Sequence, residues 1–375
     1  MSSIYLHIPF CKQACHYCDF HFSTLQKTYQ PVMDAMMQEI SLRADYLESK
    51  KISSIYFGGG TPSLLKEKDL RGFIDKIQQT FDVAADAEIT LESNPDDLSA
   101  ANLKLFKSAS INRLSIGTQS FFDAELKLMN RSHNAEEAKS SIMRAQDAGF
   151  ENLTIDLIFG MPGGDEKTWR KNVETSIALQ IPHLSAYSLT VEPKTALAKM
   201  VQSGEIVLPS ESIVLDQYNL LCALTKEANF AHYELSNYGK PGFESRHNTS
   251  YWNGTPYLGI GPSAHSFNGH SRQWNTANNT KYSTYLNAKK DWWESEELDE
   301  KERFNEFVMT GLRTAKGISL NVIDDRFGNQ RADKLMQDAQ AKLECEKLII
   351  EENSLKIPEK HWMLSDAIIA DLFWV

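Results

Sequence analysis

Cys11-Lys12-Gln13-Ala14-Cys15-His16-Tyr17-Cys18 places three cysteines at C-x3-C-x2-C spacing. Three thiolates this close suit a cubane iron–sulfur cluster, which normally takes four cysteine ligands. The local fourth is missing. Two residues past Cys18, where another cysteine would fit, stands Phe20, and the remaining thiols, Cys222 and Cys345, lie far along the chain with no motif around them. A 4Fe-4S cluster held by three cysteines leaves one iron open to an outside ligand. The competing accounts are a zinc site, which would want four ligands in two paired knuckles, and three unrelated thiols.

Outward from this run, strand-like and helix-like segments alternate through the first two thirds of the chain, the pattern of parallel βα units. Strands are expected over Ile4–Ile8, Ser54–Phe57, Glu88–Glu92, Arg113–Ile116, Leu153–Phe159 and His183–Leu189. Between them apolar residues recur at helical spacing, as in Val32, Met36 and Ile40, or Leu70, Ile74 and Ile77. Active sites of βα barrels are built at the carboxyl ends of the strands. Each of the first five strands runs into chemically useful residues: the cysteine loop, Gly58-Gly59-Gly60-Thr61-Pro62, Glu92-Ser93-Asn94-Pro95, Gly117-Thr118-Gln119-Ser120, and Asp156 within the fifth. The expectation is an α/β fold, an open (βα)6 partial TIM barrel over residues 1–200. Residues 201–300, irregular and rich in Asn, Tyr, Trp and Gly, are expected to cap the barrel mouth and complete its core. Over 301–375 three helices and a hairpin turning at Glu352-Asn353 have the outline of a small winged-helix-like domain. Cys222 shares the spacing of Tyr218 and Thr225, which predicts a core position.

Composition narrows the classes further. A net charge of −11, from 39 basic and 50 acidic residues, gives no global attraction for nucleic acid or anionic lipid. The helix and hairpin of the winged-helix outline, Lys334–Glu352, carry no basic excess, so no nucleic-acid partner is expected. Five cysteines, three of them clustered, imply a reducing compartment rather than a disulfide framework. Residues before Cys11 lack a basic segment and a long apolar core, and no stretch reaches about 18 apolar residues. A cytoplasmic location is expected.

The cysteine triad together with Tyr5-Leu6-His7-Ile8-Pro9-Phe10, Gly58–Ser63, Arg113–Phe121 and Asp156–Gly163 resembles the radical S-adenosylmethionine (SAM) family of oxygen-independent coproporphyrinogen III oxidases and their relatives. The resemblance covers nearly the whole chain. Phe20 replaces a further cysteine of the oxidase proper, ten residues leave no room for the oxidase's long amino-terminal extension, and His247-Asn248-Thr249-Ser250-Tyr251-Trp252 matches the H-N-x-x-Y-W signature of the family's haem-chaperone branch. That resemblance implies Cys11, Cys15 and Cys18 as cluster ligands. It implies SAM contacts from Tyr5, Tyr17, Gly58, Gly59, Gly60, Thr61, Glu92, Gln119, Arg131 and Asp156. Their chemistry is apt: carboxylates and an amide accept from ribose hydroxyls and ammonium, and a guanidinium pairs the SAM carboxylate. It also implies haem as cargo, contacted by His247, Tyr251 and Trp252, and an acceptor haem protein, expected among respiratory enzymes at the membrane. His265 and His7 are secondary candidates without an assigned role. Decarboxylation of coproporphyrinogen III is the alternative activity. Oligomeric state stays open between monomer and homodimer.

Overall fold

A computed structural model describes residues 1–375. Six strands, β1 (Ser2–Ile8), β2 (Lys51–Gly59), β3 (Asp82–Ser93), β4 (Arg113–Gln119), β5 (Asn152–Phe159) and β6 (His183–Ser188), run parallel, each paired with the next in sequence. The helices between them are α1 (Tyr29–Leu42), α2 (Glu67–Thr80), α3 (Ala100–Ser108), α4 (Asp123–Leu128), α5 (Ala135–Asp147) and α6 (Glu166–Ala178). The period-2 alternation of side chains on a strand sorts these residues into two sets. Ile4, Leu6, Ile8, Ile55, Phe57, Ile89, Leu91, Leu114, Ile116, Ile155 and Leu157 are buried in one apolar core with the helices. The opposite set, including Tyr56, Glu92, Arg113, Ser115, Thr154, Asp156 and Ser185, lines a polar lumen. The interior of this barrel is therefore reserved for polar chemistry, and its stability comes from the outer layer.

The next hundred residues do not form an irregular lid. After α7 (Ala196–Gln202) and α8 (Glu211–Glu227), the short strands β7 (Ala231–Glu234) and β8 (Asn237–Gly239) extend the sheet past β6, β8 pairing antiparallel to β6 and β7 antiparallel to β8 at the edge. Beyond α9 (Arg246–Trp252), strand β9 (Tyr257–Ile260) pairs parallel to β1 at the other edge. Then β10 (His265–Phe267), β11 (Ser271–Asn275) and β12 (Trp293–Glu297) add antiparallel strands, with α10 (Asn279–Asn287) packed on α1. The result is an open twelve-stranded sheet with β12 and β7 at its edges. Glu39 on α1 ties the added edge down: its fully buried carboxylate accepts from Gly261 N (2.8 Å), Asn275 Nδ2 (2.7 Å), Trp292 Nε1 (3.0 Å) and the Tyr282 hydroxyl. A buried charge persists only when it is hydrogen-bonded in this way.

The carboxyl-terminal part comprises α11 (Glu300–Leu312), β13 (Ile318–Ser319), α12 (Leu320–Phe327), α13 (Asn329–Glu344), β14 (Ile349–Glu351), β15 (Ser354–Lys356) and α14 (Ser365–Ala370). Glu352 and Asn353 both adopt positive φ (48° and 60°), the backbone of a two-residue hairpin turn. The apolar cluster that begins at Ile4 reaches Leu372, so these elements share the barrel's core. No helix is long and apolar enough to cross a membrane.

Candidate cluster and ligand cavity

The cysteine loop leaves β1 at Ile8 and is stitched at once to the loop after β2. Gly60 N donates to Ile8 O (2.9 Å) and Thr61 N to Phe10 O (2.8 Å). A Cβ on Gly60 would lie 2.7 Å from Phe10 O, so a side chain there would force the two loops apart. Gly59 has φ +103°, and a Cβ on it would strike the His7 ring at 2.8 Å. On the far side of the loop, Gln13 Nε2 donates to Asn130 Oδ1 (2.7 Å), Asn130 Nδ2 donates to Ala14 O (2.8 Å) and Lys12 pairs with Asp96 (2.8 Å). Cys11, Cys15 and Cys18 are thus held as free, half-buried thiols on a loop braced from both sides. Burial pushes the Cys11 and Cys18 thiols up, to about 11 and about 12, so metal binding there must displace their protons.

The three thiols open onto a cavity of about 410 Å³ at the carboxyl ends of the strands. Tyr17, Gly59, Gly60, Thr61, Glu92, Gln119, Arg131 and Asp156 line it with them. Tyr5 and Gly58 do not. They belong to the layer below, where a Cβ on Gly58 would meet the Tyr5 and Tyr56 rings at 2.8 and 2.9 Å. Arg131 donates to Asn94 Oδ1 and Gly117 O (both 2.7 Å), approaches Cys15 Sγ (3.4 Å) and Tyr17 Oη (3.5 Å), and keeps its Nε buried without a partner. Gln119 sits at the strand end in the left-handed region (φ +64°), a conformation that costs a non-glycine residue on the order of 1 kcal/mol and clusters at functional sites.

The two carboxyls lie deeper. Burial pushes Glu92 up to about 8 against a 2.7 Å hydrogen bond from Tyr56, and Asp156 up to about 6 against bonds from Ser185 and Ser115. Cavity-lining acids lifted this far suit a cationic ligand, which would restore their charge. Three thiols beside a cation, and two acids behind them, fit a thiolate-bound cluster with an amino-acid-like cation next to it. Asn94, Tyr56, Ser115 and Tyr187 also belong to this site, although Asn94 and Ser115 only lie inside motif segments without a role and Tyr56 and Tyr187 lie in none. Only the inward register of β2, β4 and β6, and the loop after β3, would have pointed to them.

His247 requires a correction. Expected on a lid over the mouth, it lies at the opposite, amino-terminal end of the barrel. Glu88, near the start of the parallel stretch of β3, accepts from the backbone N–H groups of Arg246 (3.1 Å) and His247 (3.0 Å), capping α9 with negative charge. The His247 ring is 1% exposed, with Nδ1 bonded to Ser54 Oγ (2.9 Å) and Nε2 to Tyr251 Oη (3.0 Å), and it stacks on Tyr56 at 4.8 Å. Both nitrogens are engaged and burial holds the imidazole neutral. Tyr251 packs edge-on against His247 and Tyr257, and Trp252 is half-buried beside them. The H-N-x-x-Y-W segment closes the bottom of the barrel and presents neither nitrogen of His247 to a macrocycle.

A parallel βα sheet with a three-cysteine loop at its carboxyl edge defines a radical SAM protein. Residues 5–175 match the Radical SAM superfamily and residues 298–364 the HemN C-terminal domain. The structure of coproporphyrinogen III oxidase (HemN) from Escherichia coli, a radical SAM enzyme, superposes with a TM-score of 0.85 over 99% of this chain and 89% of its own at 22% identity, a likeness of fold. Heme chaperone HemW of Bacillus subtilis (strain 168) is 36% identical over 334 residues, 88% of this chain and 87% of that protein. Heme chaperone HemW of Escherichia coli (strain K12) is 35% identical over 265 residues, 70% and 69% of the two chains. The chain belongs to the HemW family.

Proposed function

We propose that this protein is a haem chaperone that carries a 4Fe-4S cluster on Cys11, Cys15 and Cys18, binds SAM in the adjoining cavity, and passes haem to an acceptor haem protein of the respiratory class. One observation carries the first half: three free thiols, the Arg131 guanidinium and two half-buried acids share one cavity. A cluster held there would supply the one-electron reducing chemistry of radical SAM proteins, whether SAM is cleaved or only bound. The chain's own residues bind and orient: Arg131 pairs a carboxylate, Glu92, Gln119 and Asp156 accept from hydroxyls and ammonium, and the Gly59–Thr61 edge lets a ligand lie against backbone. The Tyr17 backbone would meet the adenine of such a ligand, while Tyr5 and Gly58 support the site from below. Membership of a family whose relatives are named heme chaperones supports the second half. So does Phe20, 66% exposed at the cavity rim, where a thiol is replaced by flat apolar surface. The barrel (1–200) holds the cofactors, residues 201–300 complete it, and residues 301–375 shield it.

The competing activity is oxidative decarboxylation of coproporphyrinogen III, favoured by the likeness of fold to the oxidase. Anaerobically reconstituted protein should bind haem and leave coproporphyrinogen III unconverted in the presence of SAM and reductant. Protoporphyrinogen accumulating over several turnovers would overturn the chaperone assignment.

A further inference from the structure

Cys222 was expected in the core, yet it is only half-buried and opens onto a cavity of about 530 Å³ that shares no residue with the cluster cavity. There it meets two side chains remote in sequence. Cys222 Sγ on α8, His232 Nδ1 on β7 and a carboxylate oxygen of Glu359, just past β15, all lie within 4.8 Å of one another. Sγ to Nδ1 is 3.9 Å and Nδ1 to Glu359 Oε1 is 2.7 Å. From these positions we infer that Cys222, His232 and Glu359 form a site for a thiophilic divalent cation of the zinc type, joining the carboxyl-terminal domain to the barrel's outer face.

The donor set is mixed sulfur, nitrogen and oxygen, a combination zinc accepts in tetrahedral geometry. Ligands at about 2.0–2.3 Å from such an ion stand roughly 3.3–3.7 Å apart. The sulfur is close to that spacing already, and the partly exposed Glu359 has room to retreat the remaining few tenths of an ångström. The imidazole is pre-oriented. It stacks on Tyr238 (4.0 Å between centroids, 17°), abuts the Trp362 edge (4.2 Å), and its Nε2 faces Leu235 O at 3.4 Å, which leaves Nδ1 as the ligand atom. The adjoining space admits water as a fourth ligand, as an open zinc site requires. A plain His232–Glu359 ion pair would have no use for Cys222 at this point. Lys226 and Lys356 line the same cavity, and Lys226 tempers the charge of Glu359, without either belonging to the triad.

Cluster-loaded protein, exposed anaerobically to zinc and then desalted, should retain one zinc per chain above its full iron complement. Absorption at the zinc edge should show a single sulfur among nitrogen and oxygen neighbours, and zinc should raise the melting temperature. Cys222→Ser should lose the sulfur signal, and Cys222→Ser, His232→Gln and Glu359→Gln should each weaken retention by about tenfold or more. Glu359 is surface-lying, so its variant tests the site without endangering the fold. Zinc retained undiminished in Cys222→Ser and Glu359→Gln, zinc bound only as iron is lost, or a zinc environment without sulfur would each overturn the assignment.

Discussion

Glu92 concentrates the site's electrostatics in one side chain. Its carboxyl titrates near 4.5 in the unfolded chain and near 8 when folded without ligand. A raised folded pKa means that the native state binds the extra proton, so its stabilising contribution is full below about pH 4.5 and disappears as pH rises through 8. The ligand-free protein should therefore lose stability between about pH 4.5 and 8, and Glu92→Gln should remove much of that slope, gaining on the order of a few kcal/mol at pH 9. Binding of the SAM ammonium should expel the same proton, so affinity should rise with pH over this window in the native protein. Denaturant titrations and isothermal binding at both ends of the range check this. A Glu92→Gln slope equal to the native one would show that the carboxyl is already ionised. Glu92 and Asp156 could be found in the sequence because each is a charged residue at or within the end of an expected strand, whereas Arg131, in the loop between α4 and α5, was reached only through the family resemblance. Tyr56 and Asn94 could not, since a tyrosine in a strand and an asparagine before proline are ordinary until the register shows which way they face.

Among the elements, the six parallel strands were legible because apolar residues recur along them between helical stripes, and the first five run directly into glycine-rich, cysteine-bearing or charged segments. The edges were not. Strands β8 and β10 have three residues each and β9 only four, too short for periodicity, and only a structure reveals that Tyr257–Ile260 joins β1. The placement of α9 was misjudged for a related reason: its motif names residues but not which end of a barrel they close. At that end His247 bridges Ser54 and Tyr251. His247→Ala should therefore cost about 2–4 kcal/mol in stability, by cavity formation and the orphaned Tyr251 hydroxyl, Ser54 Oγ keeping its bond to Ser3 Oγ. The haem absorption spectrum should stay unchanged. A shifted haem spectrum with unaltered unfolding would return His247 to the haem site.

Across the whole molecule, polar residues face inward and apolar residues outward around one continuous sheet, and the functional residues gather where the parallel strands end. The cavity there presents three thiols, which leaves a cubane cluster one coordination position short, and the acids and the guanidinium beside it are suited to the molecule that would complete it. The most direct test is the electron paramagnetic resonance spectrum of the anaerobically reconstituted, reduced protein recorded with and without SAM. The account predicts a four-iron cluster whose signal changes when SAM is added, and a Cys18→Ala protein that fails to assemble it. A signal indifferent to SAM, or a complete cluster in Cys18→Ala, would contradict the open iron.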